Sequence, residues 1–187
     1  MLRSSALVCS ITFALSAAPF SVAEAQGAMS AAAGAEATFL EYKTTVPSNW
    51  TPRALSSSMR LAEYATPTLD GGMAEVVVYY FGKGSGGSVD ANLERWKSQF
   101  TNPSGGPVPE KVTHPVAPLP MTVAEYRGTY ARGVGAGSDA SAARPNHILI
   151  AVVAETPRGT LFFQCFGPIA AVEAQRDAYL KFAQGLK

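Results

Sequence analysis

Glu75-Val76-Val77-Val78-Tyr79-Tyr80-Phe81 carries apolar side chains on both of its alternating faces. A strand of that kind is buried from two sides, so it belongs inside a sheet that is covered above and below. His147 to Glu155 is almost wholly apolar as well, and Thr156-Pro157-Arg158-Gly159 turns it tightly into Thr160 to Phe166. That pair reads as a β-hairpin, and its first strand joins Glu75 to Phe81 at the centre of the sheet.

Outward from this centre, Gly82-Lys83-Gly84-Ser85-Gly86-Gly87 ends the first strand and Ser88 stands ready to cap a helix. Val89, Leu93, Trp96 and Phe100 then recur at helical spacing and form one apolar stripe. A second helix is expected from about Ala170 to Gln184, with Val172, Tyr179, Phe182 and Leu186 on its buried side and Gly185 at its end. Further strands are expected at Thr38 to Lys43, Ser58 to Tyr64 and Met121 to Arg132. The last of these puts Ala124, Tyr126 and Tyr130 on one face and Glu125 and Arg127 on a wetter one. Val46 to Pro52 reads as a turn around Trp50. Asn102 to Leu119, rich in Gly and Pro, reads as a surface excursion with an extended piece at Lys111 to Val116, and Gly133 to Asn146 as a connection. The expected fold is therefore a single α+β domain over residues 38–187, an antiparallel sheet covered by two helices.

The amino terminus has the layout of an export signal. Arg3 supplies the charged tip, an apolar run extends from Ala6 to Phe20, and Ala23-Glu24-Ala25 offers small residues at a cleavage site. Residues 1–25 are thus expected to be a signal peptide and residues 26–37 a flexible Ala/Gly-rich leader, leaving an exported periplasmic or secreted domain with no further membrane insertion. Cys9 leaves with the signal, and Cys165 remains alone, alternating with Leu161 and Phe163 in an apolar strand, where a buried, inert thiol is expected. Fifteen basic and fourteen acidic residues, without a run of like charge, disfavour nucleic acid as a partner.

Trp50, the strand, loop and helix from Gly82 to Phe100, and the ending from Phe162-Phe163 through Gly167-Pro168 to Val172 together resemble secreted bacterial proteins similar in layout to the PsbP-like α-β-α sandwich. The resemblance implies a fold and no activity. Members of that fold bind protein partners, and none of their binding residues carries over to a position of this chain.

Chemistry-bearing residues are sparse. The loop Lys83, Gly84, Ser85, Gly86, Gly87 and Ser88 joins a strand to a helix, where backbone amides can hold an anion or other ligand. Its spacing differs from a Walker loop, which places Lys and Ser or Thr after the last Gly, and a plain connector explains it as well. His114 and His147, the two histidines, lack a second ligand at metal spacing. Ser56, Ser57 and Ser58 lie between Arg53 and Arg60 without a neighbouring base. No cofactor, metal or catalytic residue is assigned. Tyr79, Tyr80, Phe81, Tyr126, Tyr130, Phe162, Phe163 and Phe166 either build the core or leave an exposed aromatic binding face. A non-catalytic binding or accessory module, engaging a protein or a small ligand, is the expected function; the alternative is a hydrolase in which Ser, His and a carboxylate converge from distant positions.

Overall fold

A computed structural model describes residues 29–69, 71–101, 119–131 and 143–187 in full and residues 110–116 by their backbone. The expected signal peptide, residues 102–109 and residues 132–142 lie outside the described residues. In chain order the elements are β1 (Glu36–Phe39), β2 (Tyr42–Thr45), β3 (Thr51–Pro52), β4 (Arg60–Ala65), β5 (Glu75–Tyr80), α1 (Val89–Lys97), β6 (Phe100–Thr101), β7 (Glu110–Val116), β8 (Leu119–Tyr130), β9 (Arg144–Thr156), β10 (Gly159–Pro168), α2 (Ile169–Glu173) and α3 (Arg176–Gln184).

The main sheet runs β3-β4-β5-β10-β9-β8-β6, with β7 also paired to β8, and its pairings are antiparallel. β5 lies between β4 and β10, and β9 between β10 and β8, so both strands with two apolar faces are interior. The β9–β10 hairpin closes through a two-residue turn at Pro157 and Arg158, with Thr156 opposite Gly159. Gly159 has φ +123°, and a Cβ there would lie 2.9 Å from the Tyr80 ring, so glycine meets two constraints at once.

Each face of the sheet has its own core. On one, Val76, Val78, Ile150, Val152, Leu161, Phe163 and Cys165 pack against Val172, Tyr179, Phe182 and Leu186 from the carboxy-terminal helices. The four residues expected on the buried side of that segment are all buried. On the other face, Leu93 and Trp96 of α1 cover Ala124, Tyr126, Ala151, Val153 and Phe162. Ser88 caps α1 as expected, its hydroxyl accepting from the Ala91 N–H.

The structure departs from the sequence reading in four places. Thr38 to Lys43 is not one strand but the turn of the β1–β2 hairpin, with Leu40 at φ +58°. The expected single helix from about Ala170 to Gln184 is interrupted at Ala174 and Gln175, giving three helices instead of two among the described residues. Gln175 has φ −111° and ψ 0°, and its side-chain oxygen accepts from Trp50 Nε1 at 3.0 Å and Asn49 Nδ2 at 3.3 Å. The break sets this buried amide against Trp50, while the backbone bonds from the Gln175 N–H to Val172 and from the Tyr179 N–H to Gln175 are kept across it. Phe100 belongs to β6, because α1 already ends at Lys97. Finally, order begins before Thr38: Met29 bridges to Ala54, and the buried Ser30 hydroxyl accepts from the Glu63 N–H at 2.7 Å and lies 2.8 Å from the Glu63 carbonyl. Hydrogen bonds from Ser30 to the backbone, together with Ala31 and Ala37 packed against the core, hold this Ala/Gly-rich stretch in place.

Candidate functional site

The α1 face of the sheet is only partly covered. Nine helical residues span about 14 Å at 1.5 Å each, whereas the ten residues of β10 extend about 33 Å. The cross-strand register sets the rows on which the uncovered part stands. One row crosses Arg60, Tyr79, Phe162 and Val153; the next crosses Glu63, Val77, Gln164 and Ala151; a third crosses Glu75, Phe166 and Leu149. A groove of about 730 Å³ opens over these rows, within the range of sites that take small molecules.

Two groups of aromatic rings wall the groove. Tyr79 stacks on Phe81 at 6.0 Å, Phe81 meets Phe162 edge-on at 5.6 Å, and Trp96 meets Phe162 at 6.2 Å. On the far side Tyr130 meets Phe166 at 4.4 Å, and behind these two rings Phe100 lies 5.4 Å from Tyr130 and His147 5.3 Å from Phe166. Gln164 projects between them, because alternation in β10 puts positions 162, 164 and 166 on one face. Its flanks Val77 and Ala151 are small, and its amide has no hydrogen-bond partner among the described residues.

Charge at the rim is predominantly basic. The Arg60 guanidinium bonds Glu63 at 3.0 Å and Glu75 at 3.4 Å, and lies 5.2 Å from the centre of the Tyr79 ring. Arg95 donates to Asn92 Oδ1 at 2.6 Å. Arg144, opposite Tyr130 in the β8–β9 register, is exposed and has no carboxylate partner among the described residues. Glu63 balances two influences: burial raises its carboxyl pKa, but the Ser56 N–H and Arg60 outweigh that and hold it below its ordinary value.

The aromatic residues therefore divide between the two expected roles. Phe163 belongs to the opposite core and Tyr126 and Phe162 are buried under α1, while Tyr79, Phe81, Tyr130 and Phe166 are half-buried in the groove. The loop singled out in the sequence stands beside this site. Lys83, Gly84 and Ser85 are exposed, Gly86 (φ +116°) lies where a Cβ would approach Phe162 and Phe81 to about 3.1–3.2 Å, and Gly87 precedes the Ser88 cap. Asn92 Nδ2 donates to the Gly86 and Ser88 carbonyls at 2.6 and 2.9 Å, so part of the loop's polar capacity is already used internally.

His147 Nδ1 lies 2.8 Å from the Pro145 carbonyl, and no serine hydroxyl or carboxylate is bonded to that ring among the described residues. His114 is on β7 opposite Met121; its side chain lies outside the described residues. The Ser56 N–H donates to Glu63 and the Ser57 carbonyl accepts from Arg60, a backbone-bonded turn. Cys165 is fully buried on the opposite face, and burial pushes its thiol pKa up to about 12. On that face Glu125, Arg127, Glu173 and Arg176 form a half-buried network of alternating charge. Arg176 holds the Glu173 carboxyl below its ordinary pKa against the effect of burial, with Arg127 adding to it.

Sequence reasoning missed Gln164, Arg95 and Arg144 as site residues. Gln164 had a legible signal, a lone amide at the middle of Leu161-Phe162-Phe163-Gln164-Cys165-Phe166. The arginines come from α1 and the start of β9 and meet only through the fold. No protein-family model matches the chain, and no curated protein matches it.

Proposed function

We propose that this chain is an exported, non-catalytic binding module that takes a small, largely apolar ligand in the groove beside α1. The observation that carries the reading is Gln164, an amide on an interior strand between Phe162 and Phe166 with no partner among the described residues. An amide there adds nothing to the apolar packing, whereas one polar group between aromatic walls is how small-ligand sites orient their ligand. The export half of the proposal rests on the signal-like layout of residues 1–25, and recovery from the cell envelope of a chain beginning at Gln26 is its matching observation. A PsbP-like relationship is likewise proposed, supported by helices on both faces of an antiparallel sheet.

The test is a fluorescence titration with N-phenyl-1-naphthylamine, a neutral aromatic probe that brightens in apolar sites. The native chain should bind it saturably at one site. Gln164→Trp, which fills the floor of the groove, should weaken binding at least tenfold while the circular dichroism spectrum is retained. Absence of saturable binding to the native chain, or equal binding by the filled variant, overturns the assignment.

A further inference from the structure

We infer that the groove selects ligands joining an aromatic body to an anionic group, with Arg144 and Arg95 receiving the anion. The inference rests on the groove being a ligand site and adds the chemistry of what it takes.

Its basis is an imbalance of charge that the chain as a whole does not have. Basic and acidic residues nearly cancel over the full sequence, yet among the described residues the groove is lined by Arg60, Arg95 and Arg144 against the single carboxylate of Glu75. Arg60 is already engaged, bonded to both Glu63 and Glu75 and set against the Tyr79 ring. Among the described residues Arg95 meets the neutral amide oxygen of Asn92. Neither Arg95 nor Arg144 has a carboxylate partner among the described residues. Two guanidinium groups thus line one cavity with no carboxylate bonded to either among the described residues, and each presents the planar fork that matches a carboxylate, sulfonate or phosphate.

The walls decide what else the ligand carries. Phe162 and Phe166 are four residues apart on β10, so their bases stand about 13 Å apart with Gln164 between. Arg144 is across the register from Tyr130, whose ring is 4.4 Å from that of Phe166. An anion at Arg144 consequently places the rest of its molecule against the Tyr130–Phe166 wall. A bare inorganic anion leaves those rings and the Gln164 amide uncovered; a planar aromatic acid covers both. Partial enclosure strengthens the charge pairing over its value in open water.

Two probes with nearly the same skeleton test this. 1-Anilinonaphthalene-8-sulfonate carries the anion and N-phenyl-1-naphthylamine lacks it. At low ionic strength the native chain should bind the sulfonate at least tenfold more tightly than the neutral amine, and the preference should shrink as salt rises. Arg144→Gln should cut sulfonate affinity about tenfold more than it cuts amine affinity, while Lys181→Gln, exposed on α3 at the opposite face, should change neither. Excess inorganic sulfate should displace the aromatic sulfonate poorly. If the amine binds and the sulfonate binds no tighter, or if Arg144→Gln weakens both alike, anion selection is wrong while the ligand groove stands. Efficient displacement by inorganic sulfate would mean a plain anion site and would overturn the aromatic half. If neither probe binds saturably, the groove reading fails together with this one.

Discussion

Phe182 is the ring on which the carboxy-terminal layer is hung, and truncating it to alanine gives a large, specific expected loss. Its side chain is 1% exposed. It meets Trp50 at 5.2 Å, Phe163 at 5.8 Å, Tyr64 at 5.9 Å and Phe39 at 6.0 Å, all at steep angles. One ring from α3 therefore joins the β1–β2 hairpin, the turn before β3, and strands β4 and β10. Burying a phenylalanine and then removing it costs about 3–5 kcal/mol, and four edge-to-face partners place this site near the upper end. For a chain of this size that is a fall in Tm of roughly 8–20 °C. Urea unfolding followed by tryptophan fluorescence is the assay, since Trp50 reports this layer and Trp96 the opposite one. The midpoint should drop with little change in slope. Phe182→Leu, which keeps most of the volume and loses the ring contacts, should cost about 1–2 kcal/mol and secures the test if the alanine variant does not fold. A loss below about 1 kcal/mol for Phe182→Ala would refute the hub.

Two further outcomes follow from the same face of the sheet. Cys165 should resist thiol reagents in the native protein and react at the rate of unfolding once urea is added, because burial both excludes the reagent and raises the thiol pKa to about 12; rapid native labelling, or a dimer on a non-reducing gel, would oppose burial. Glu173 has a folded pKa below its unfolded one, so its contribution is present above the unfolded value of about 4.3 and is lost as pH falls through the folded value. Native protein should accordingly exceed Glu173→Gln in stability by about 1 kcal/mol at pH 7, with the gap closing in acid. A gap that is unchanged at pH 3 would contradict the ion pairing.

The centre of the fold was legible because its signal is redundant. β5 and β9 are apolar at nearly every position, and that pattern admits only an interior strand. Ser88 with Val89, Leu93 and Trp96 marked α1 for an equally local reason, a cap followed by a stripe. The break at Gln175 was hidden because the buried positions continue across it: Val172 and Tyr179 keep the helical phase, and the Trp50 indole that Gln175 meets there is distant in sequence. Ordering of residues 29–37 was hidden for a related reason, since Ser30 is held by the backbone of Arg53 and Glu63. The candidate site was half legible. Its aromatics were visible as a set, but which of them line a groove depends on where a short α1 stops covering the sheet, and that is a property of two lengths rather than of any residue.

The central claim is that the α1 face of the sheet binds a ligand over Gln164. Titrating 15N-labelled protein with N-phenyl-1-naphthylamine and following side-chain and backbone amides addresses it residue by residue. The side-chain NH2 pair of Gln164 and the backbone amides of Phe162, Phe166 and Leu149 should shift together and saturate with one affinity, while those of Arg127, Glu173 and Arg176 on the opposite face stay in place. Shifts that gather on that opposite face, or none at Gln164 while the probe is bound, would contradict it.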